Sequence, residues 1–376
     1  MSKEDSVRVL IACDKFKGSL SALGVAEAVR KGLPEDWSVD LCPIADGGEG
    51  FVEVLTAVSG GRLVSVEVGD PLGRRVIADY GLAEINGRRV AFVEMSAASG
   101  LWRVKGQTDE RDPLAASTFG TGELIRHAAE VSNAEQIYVG LGGSATNDGG
   151  AGMAAALGVS FLDGAGRELK GTPVEMENLA SVDDSGRILL PEIVVACDVD
   201  NPLCGERGAS AVFGPQKGAS AEDVVRLDGI LQRLAEVSGG LEIAGIPGTG
   251  AAGGIGFGLV RFAGARLISG FDLVAEAIGL EDKISAADLV ITGEGSLDQQ
   301  TLGGKGPAGV AAMAKKRGVP VAAVAGRVEP QAAALFDAVI SLEIFALPKE
   351  ESIARAAELL EEGVKRNRGA LAKLPN

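Results

Sequence analysis

Five times in this chain a run of apolar or β-branched residues stops in a stretch of glycine, acid or lysine. These stretches are DKFKGS (14–19), ADGGEG (45–50), GLGGSATNDGG (140–150), CDVDNP (197–202) and TGEGSLDQQTLGGKG (292–306). Short apolar runs bounded this way read as buried strands, and helical patterns follow several of them. Strand, loop and helix repeating in turn point to an α/β fold with a parallel sheet, whose ligands sit beyond the carboxyl ends of the strands. A sixth glycine-rich loop, GTGAAGGIGFG (248–258), follows a weaker strand pattern.

The elements can be placed from periodicity. VRVLIAC (7–13) and WSVDLCPIA are strands, each followed by a helical segment, LSALGVAEAVRKGL and GFVEVLTAVSG. The pattern then changes to closely spaced strands, RLVSVEV, VIADYGLAEI and RVAFVEM, with turns at DPLGR and INGR. Asn-Gly tolerates positive φ, so INGR predicts a hairpin and this stretch reads as antiparallel. Helix and strand alternate again after Ser117. Three more strands, DLVITGE, PVAAVAG and AVISLE, precede a last helix over 353–366. The middle differs from both ends, so the two ends are expected to share one sheet with the middle inserted.

Composition narrows the chemistry. Nearly half the residues (46 %) are hydrophobic and no low-complexity tract interrupts them, which predicts a chain folded throughout. The formal net charge of −16 disfavours nucleic acid and anionic membranes as partners, and a 4 % aromatic content leaves few platforms for stacking bases. The single histidine, His127, lies in ELIRHAAEV and reads as a solvated helix residue, which removes Ser-His-Asp catalysis and histidine-held zinc. Cys13, Cys42, Cys197 and Cys204 form no C-x-x-C pair and read as reduced thiols. The start, MSKEDSVRVLIACDKFK, reads as a strand rather than a signal sequence, and no apolar run reaches membrane-spanning length, so a cytoplasmic protein is expected.

The P-loop pattern is absent, since Gly304-Lys305 is followed by Gly306. The dinucleotide pattern matches at Gly140/Gly142/Ala145 and Gly248/Gly250/Gly253, but such matches are weak in a chain with 54 glycines. Only Asp163, in the loop-like FLDGAG, stands where a ribose-binding acid would be. A more general reading of GLGGSATNDGG is an anion site. Glycines at 142 and 143 let backbone N–H groups approach a phosphate, and Ser144 and Thr146 add hydroxyl donors. The alternative is a tight strand-to-helix turn. Lys15 and Lys17 follow the first strand, Lys217 sits in FGPQKGA and Lys305 in GGKG; together they offer the local positive charge that the acidic surface denies. Asp46 and Glu49 flank two glycines, Asp198 and Asp200 end one strand, and Glu294 and Asp298 end another. Anion-binding loops, lysines and acids without histidine fit phosphoryl transfer, with Mg²⁺ and a carboxylate orienting the attacking hydroxyl.

These same segments resemble the type-1 glycerate kinase family of bacteria. The resemblance covers essentially the whole chain and rests on DKFKGSLSA, PIADGGEG, DPLGR, EMSAASGL, SFGTGELIRHA, GLGGSATNDGGAGMAAALG, VACDVDNPLCG, VFGPQKGA, GAAGGIGFG and ITGEGSLDQQTLGGKGP in this order. It departs from the family pattern at Gln300, Leu302 and Gly306, none of them an acid or lysine of the site. It implies ATP-dependent phosphorylation of D-glycerate, usually giving 2-phosphoglycerate. It also implies two α/β domains, one inserted into the other, with the active site in the cleft between them. On that basis residues 1–70 plus 260–376 are expected as a discontinuous domain resembling a restriction-endonuclease core, and 71–259 as an inserted flavodoxin-like domain.

The candidate site follows. Asp198, Lys15 and Lys17 are the catalytic candidates. Substrate and phosphate binding fall to Asp46, Gly47, Gly48, Glu49, Ser99, Gly142, Gly143, Ser144, Thr146, Asn147, Asp148, Lys217, Gly253, Gly254 and Lys305. Asp200, Glu294 and Asp298 are the metal candidates. Alternation along a strand puts Asp198 and Asp200 on one side, so either can serve as base; Asp198 is favoured because the turn at Asn201-Pro202 offers Asp200 a structural task. The competing readings are a kinase for a related hydroxy-acid, a kinase forming 3-phosphoglycerate, and a metabolite sensor without turnover.

Overall fold

The computed structural model describes residues 6–45, 50–105, 109–299, 301 and 306–374. The chain opens with β1 (Arg8–Cys13) and β2 (Ser38–Leu41), joined by the helix Ala22–Gly32. Nine strands follow: β3 (Arg62–Gly69), β4 (Arg75–Ile85), β5 (Arg88–Glu94), β6 (Gln136–Gly140), β7 (Ser160–Asp163), β8 (Glu168–Leu169), β9 (Leu179–Asp183), β10 (Glu192–Ala196) and β11 (Arg266–Ile268). The chain then returns with β12 (Leu289–Leu297), β13 (Val321–Val328) and β14 (Ala338–Ser341).

Two compact units result, residues 1–46 with 274–376, and residues 47–273. The change-over points differ from the expected 70/71 and 259/260 because of two ladders. β3 pairs with β4 over its whole length, Arg62↔Leu82 to Gly69↔Arg75, which holds 47–70 in the inserted unit. At the other end β11 pairs with β10, Val194↔Arg266 to Ala196↔Ile268, and keeps 260–273 there as well.

The discontinuous unit is a five-stranded sheet in the order β14-β13-β12-β1-β2, parallel throughout. The ends of the chain therefore do share one sheet. Every residue of β1 but the first is buried, as the unbroken apolar run VLIAC requires of a strand covered on both faces. Val9 and Ile11 pack with Val25 and Val29 of the first helix and with Leu360 and Val364 of the helix Ala356–Leu371. Renumbered within the unit, the order is 2-1-3-4-5, the flavodoxin-like arrangement. That label thus belongs to the discontinuous unit, not to the inserted one. The order depends on which strand pairs with β1 across the insertion, and local periodicity does not encode that choice.

The inserted unit carries a mixed sheet, β11-β10-β6-β5-β4-β3, and a small antiparallel sheet, β8-β7-β9. The expected antiparallel stretch is β3 to β5, and its second turn has Asn86 and Gly87 both at positive φ (52° and 75°), the conformation Asn-Gly favours. From β5 onward β6, β10 and β11 are parallel, so their carboxyl ends align. His127 is not solvated as expected. Its Nδ1 lies 3.0 Å from the Tyr80 hydroxyl, and burial lowers its pKa. No helix among the described residues is long and apolar enough to cross a membrane.

Strand β12 approaches β13 so closely at Gly293 that a Cβ there would lie 2.0 Å from the Val324 carbonyl oxygen. Gly293→Ala is expected to destabilise the protein by roughly 1–3 kcal/mol through overpacking, read as a lowered urea midpoint. An unchanged midpoint would mean that β12 and β13 separate without cost.

Candidate active site

Parallel register builds the first cluster. Cys13 pairs with Gly293 and Glu294 with Ala325, so the loop after β1 emerges beside the ends of β12 and β13. The Asp14 N–H donates to the Gly293 carbonyl at 2.8 Å, and the Lys15 N–H to Asp14 Oδ1 at 2.6 Å. β12 and β13 run on together as far as Leu297↔Val328 and carry Glu294, Ser296 and Arg327 past the end of β1. The result is a pocket of about 720 Å³ within the discontinuous unit. Lys15, Lys17, Glu294 and Asp298 all line it. Lys15 is half-buried and Lys17 exposed. Thr301 fixes the two acids relative to each other, because its hydroxyl donates to Glu294 Oε1 (2.7 Å) and accepts the Asp298 N–H (3.1 Å).

The loop after β6 is built differently. Gly142 and Gly143 are accessible, but Ser144 to Gly150 are buried. The Asp148 carboxylate accepts from the Thr118 N–H (2.7 Å), the Thr118 hydroxyl (2.8 Å), the Gly150 N–H (3.1 Å) and the Gly152 N–H (3.2 Å). It thereby joins the starts of the helices Phe119–Glu130 and Ala151–Ala156. Lys217, 1 % exposed, donates to the Thr146 carbonyl at 2.6 Å. Gly253 presses on the same carbonyl: a Cβ at 253 would come within 1.9 Å of it, and φ is +76°. The Gly149 N–H donates to the Gly253 carbonyl, and a Cβ at Gly254 would lie 2.9 Å from Gly149 Cα. The two glycine-rich loops are thus packed backbone to backbone. The Asn147 amide donates to Ser210 Oγ, while Thr146 Oγ1 and Asn147 Oδ1 are buried without a hydrogen-bond partner in the structure. Ser99 is also buried, its hydroxyl 2.8 Å from that of Thr121.

Asp198 follows β10 at the carboxyl edge of the mixed sheet, half-buried, with its Oδ1 accepting the Gly270 N–H at 3.0 Å. Asp200 is exposed and paired with Arg207 at 2.9 Å. The two acids therefore differ in setting, although they are only two residues apart. Asp163 turns its carboxylate onto its own loop, accepting from the Ala165 and Arg167 N–H groups, which gives it a turn-forming task instead of a ribose. Among the described residues no three or more His, Cys, Asp or Glu side chains are grouped as a metal cage. Asp46, Gly47, Gly48, Glu49 and Lys305 lie outside the described residues.

Residues not singled out from the sequence also line the pocket. Asp14 and Arg327 stand at strand ends, and the rule that led to Lys15 and Glu294 applies to them equally. Thr301 gave no signal, because its task depends on where Glu294 and Asp298 point. Lys349 and Ile353 come from a helix near the end of the chain with no motif.

Comparison with known proteins is consistent across sequence and structure. The model of the glycerate kinase family matches residues 9–373. The chain is 44 % identical over 371 residues to a glycerate kinase of Halalkalibacterium halodurans, covering 95 % of this chain and 96 % of that protein. It is 46 % identical over 329 residues to the glycerate 2-kinase of Escherichia coli K12, covering 85 % of each. A crystal structure from Salmonella typhimurium LT2, described as a glycerate kinase 2, superposes with a TM-score of 0.87 at 44 % identity, covering 98 % of this chain and 99 % of that one.

The buried lysine yields a pH prediction. Burial pulls the Lys217 ammonium from 10.5 down to about 7, opposed by the charge of Asp148, whose own pKa burial raises. Between about pH 7 and 10.5 the native state holds less of this proton than the unfolded chain, so its contribution to stability rises with pH through that window. Below it the full cost of the buried charge applies. The gain is expected to be roughly 3–5 kcal/mol, and Lys217→Met should abolish it. Urea unfolding at pH 7 and 9.5 checks this. Equal pH slopes for the two proteins would show that Lys217 is not the group responsible.

Proposed function

Because the chain belongs to the glycerate kinase family, and is therefore a kinase, we propose that it transfers the γ-phosphoryl group of ATP to D-glycerate, giving 2-phosphoglycerate and ADP. The observation that carries this reading is the pocket where Lys15, Lys17, Glu294 and Asp298 meet at the carboxyl ends of β1 and β12. Two ammonium groups beside two carboxylates suit a polyphosphate and its metal ion. Glycerate, a three-carbon acid, is far smaller than a cavity of this size, so the nucleotide is the better occupant.

Lys15 and Lys17 hold phosphate oxygens and stabilise the charge that develops on them during transfer. Mg²⁺ is content with one or two carboxylates when phosphate and water complete its shell. Glu294 and Asp298, set by Thr301, fit that requirement without a three-acid cage. When bound, the ion neutralises the β- and γ-phosphate oxygens. Asp198 orients the glycerate hydroxyl and accepts its proton, with Gly270 holding one carboxylate oxygen in place. Asp200, tied to Arg207 in solvent, is the weaker candidate for base and for metal.

Phosphorus NMR of the product of ATP, Mg²⁺ and D-glycerate is expected to show 2-phosphoglycerate, and a 3-phosphate signal would overturn the assignment of the hydroxyl. Removing divalent metal by chelation should abolish turnover. Lys15→Ala is expected to lower kcat by roughly 10²–10³. Asp198→Asn should lower it by roughly 10²–10⁴ with ATP affinity kept; normal turnover in Asp198→Asn together with a dead Asp200→Asn would exchange the two roles.

A further inference from the structure

The pocket at the end of the parallel sheet has two chemically different ends. Near β1 and β12 it is lined by Asp14, Lys15, Lys17, Glu294 and Asp298; after β14 it is lined by Leu342, Leu347, Ile353 and Ala356, with Glu343, Lys349 and Ser352 between them. Leu342 follows β14 directly, and Ala346 at positive φ (51°) turns the chain toward the helix Lys349–Ala354, which presents Ile353. Ile353 stays 39 % exposed although it is a large hydrophobe beside a cavity. Its backbone is nonetheless fixed, since Ser19 Oγ, from the loop that carries Lys15 and Lys17, donates to its carbonyl at 2.7 Å.

We infer that this apolar end is the subsite for the nucleotide base, with Ile353 and Leu347 against the face of the adenine ring. The inference rests on the phosphate reading of the charged end and adds to it the part of the ligand that an acid-and-lysine cluster cannot recognise. Three lines meet here. First, a phosphate or a three-carbon acid has no use for an apolar wall, whereas a purine offers a flat, weakly polar face to it. Second, the bond from Ser19 Oγ to the Ile353 carbonyl sets this wall directly beside the loop that carries Lys15 and Lys17, so one ligand can touch both. Third, the volume of about 720 Å³ falls within the ~300–1,000 Å³ of pockets that enclose whole organic ligands.

The test compares ADP with inorganic tripolyphosphate, each titrated calorimetrically with Mg²⁺ into the full-length wild type, Ile353→Asn and Lys15→Ala. Tripolyphosphate reports the charged end alone. Ile353→Asn keeps the number of side-chain heavy atoms and the backbone bond to Ser19 but replaces the apolar contact with an amide. It is expected to weaken ADP about tenfold and to leave tripolyphosphate unchanged. Ile353→Ala, conservative in a helix and half-exposed site, should show the same selectivity at smaller size. Equal losses for both ligands, or none for either, would overturn the base subsite. Lys15→Ala should weaken both ligands alike. If it affects neither while Ile353→Asn still weakens ADP selectively, the phosphate reading falls and the base subsite stands. Failure of the wild type to bind ADP would overturn both.

Discussion

The parallel ladder between β1 and β12 brings together residues 280 positions apart, with Arg8 and Asp288 clamped side by side at its start (2.6 Å). Everything in the pocket follows from its register. Shifting it by one residue would turn Glu294 to the other face of the strand and separate it from the loop bearing Lys15. β1 is apolar on both faces: the helices Ala22–Gly32 and Ala356–Leu371 pack together on its Val9 and Ile11 face, and the helices Leu280–Ala286 and Pro307–Lys316 also lie against the strand. The penalty for closing so long an insertion grows only logarithmically with its length, and an insertion that folds as its own unit reduces it further. The inserted unit therefore alters the sheet little, while its return at β12 creates the switch point at which open parallel sheets bind ligands.

Much of this was legible in the sequence, and the limits of legibility have physical causes. Strand β1, the Asn86-Gly87 hairpin and the three closing strands were all readable, since each depends on local pattern. The flavodoxin-like label went to the wrong unit because it depends on strand order. The last helix was expected as one element, yet the chain breaks at Arg355 into Lys349–Ala354 and Ala356–Leu371, and that break lets one segment reach the pocket while the other packs on the core. Of the candidate site, Lys15, Lys17, Glu294 and Asp298 were nominated by a rule about strand ends, and the structure lines one cavity with them. Arg327 obeys the same rule and was passed over, since GRV carries no motif. Thr301 was out of reach, because a hydroxyl becomes significant only once its two carboxylate partners have positions.

Charge and glycine divide the remaining work between the two units. The chain carries −16 overall, yet the pocket lining balances Asp14, Glu294, Asp298 and Glu343 against Lys15, Lys17, Arg327 and Lys349. A pocket whose described lining is balanced in charge inside an acidic surface repels an anionic ligand only at long range. In the inserted unit the glycines serve another purpose. GLGGSATNDGG and GTGAAGGIGFG both look like anion loops, but Thr146, Asn147, Asp148, Lys217, Gly253 and Gly254 are locked together below the surface. Glycine is needed there because two backbones touch, and Asp148 is needed because four donors at two helix starts would otherwise be buried unpaired. The consequence is a rigid base for the part of the loop that does reach solvent, Gly142 and Gly143. The same residues that resemble a binding motif thus stiffen that exposed turn from beneath.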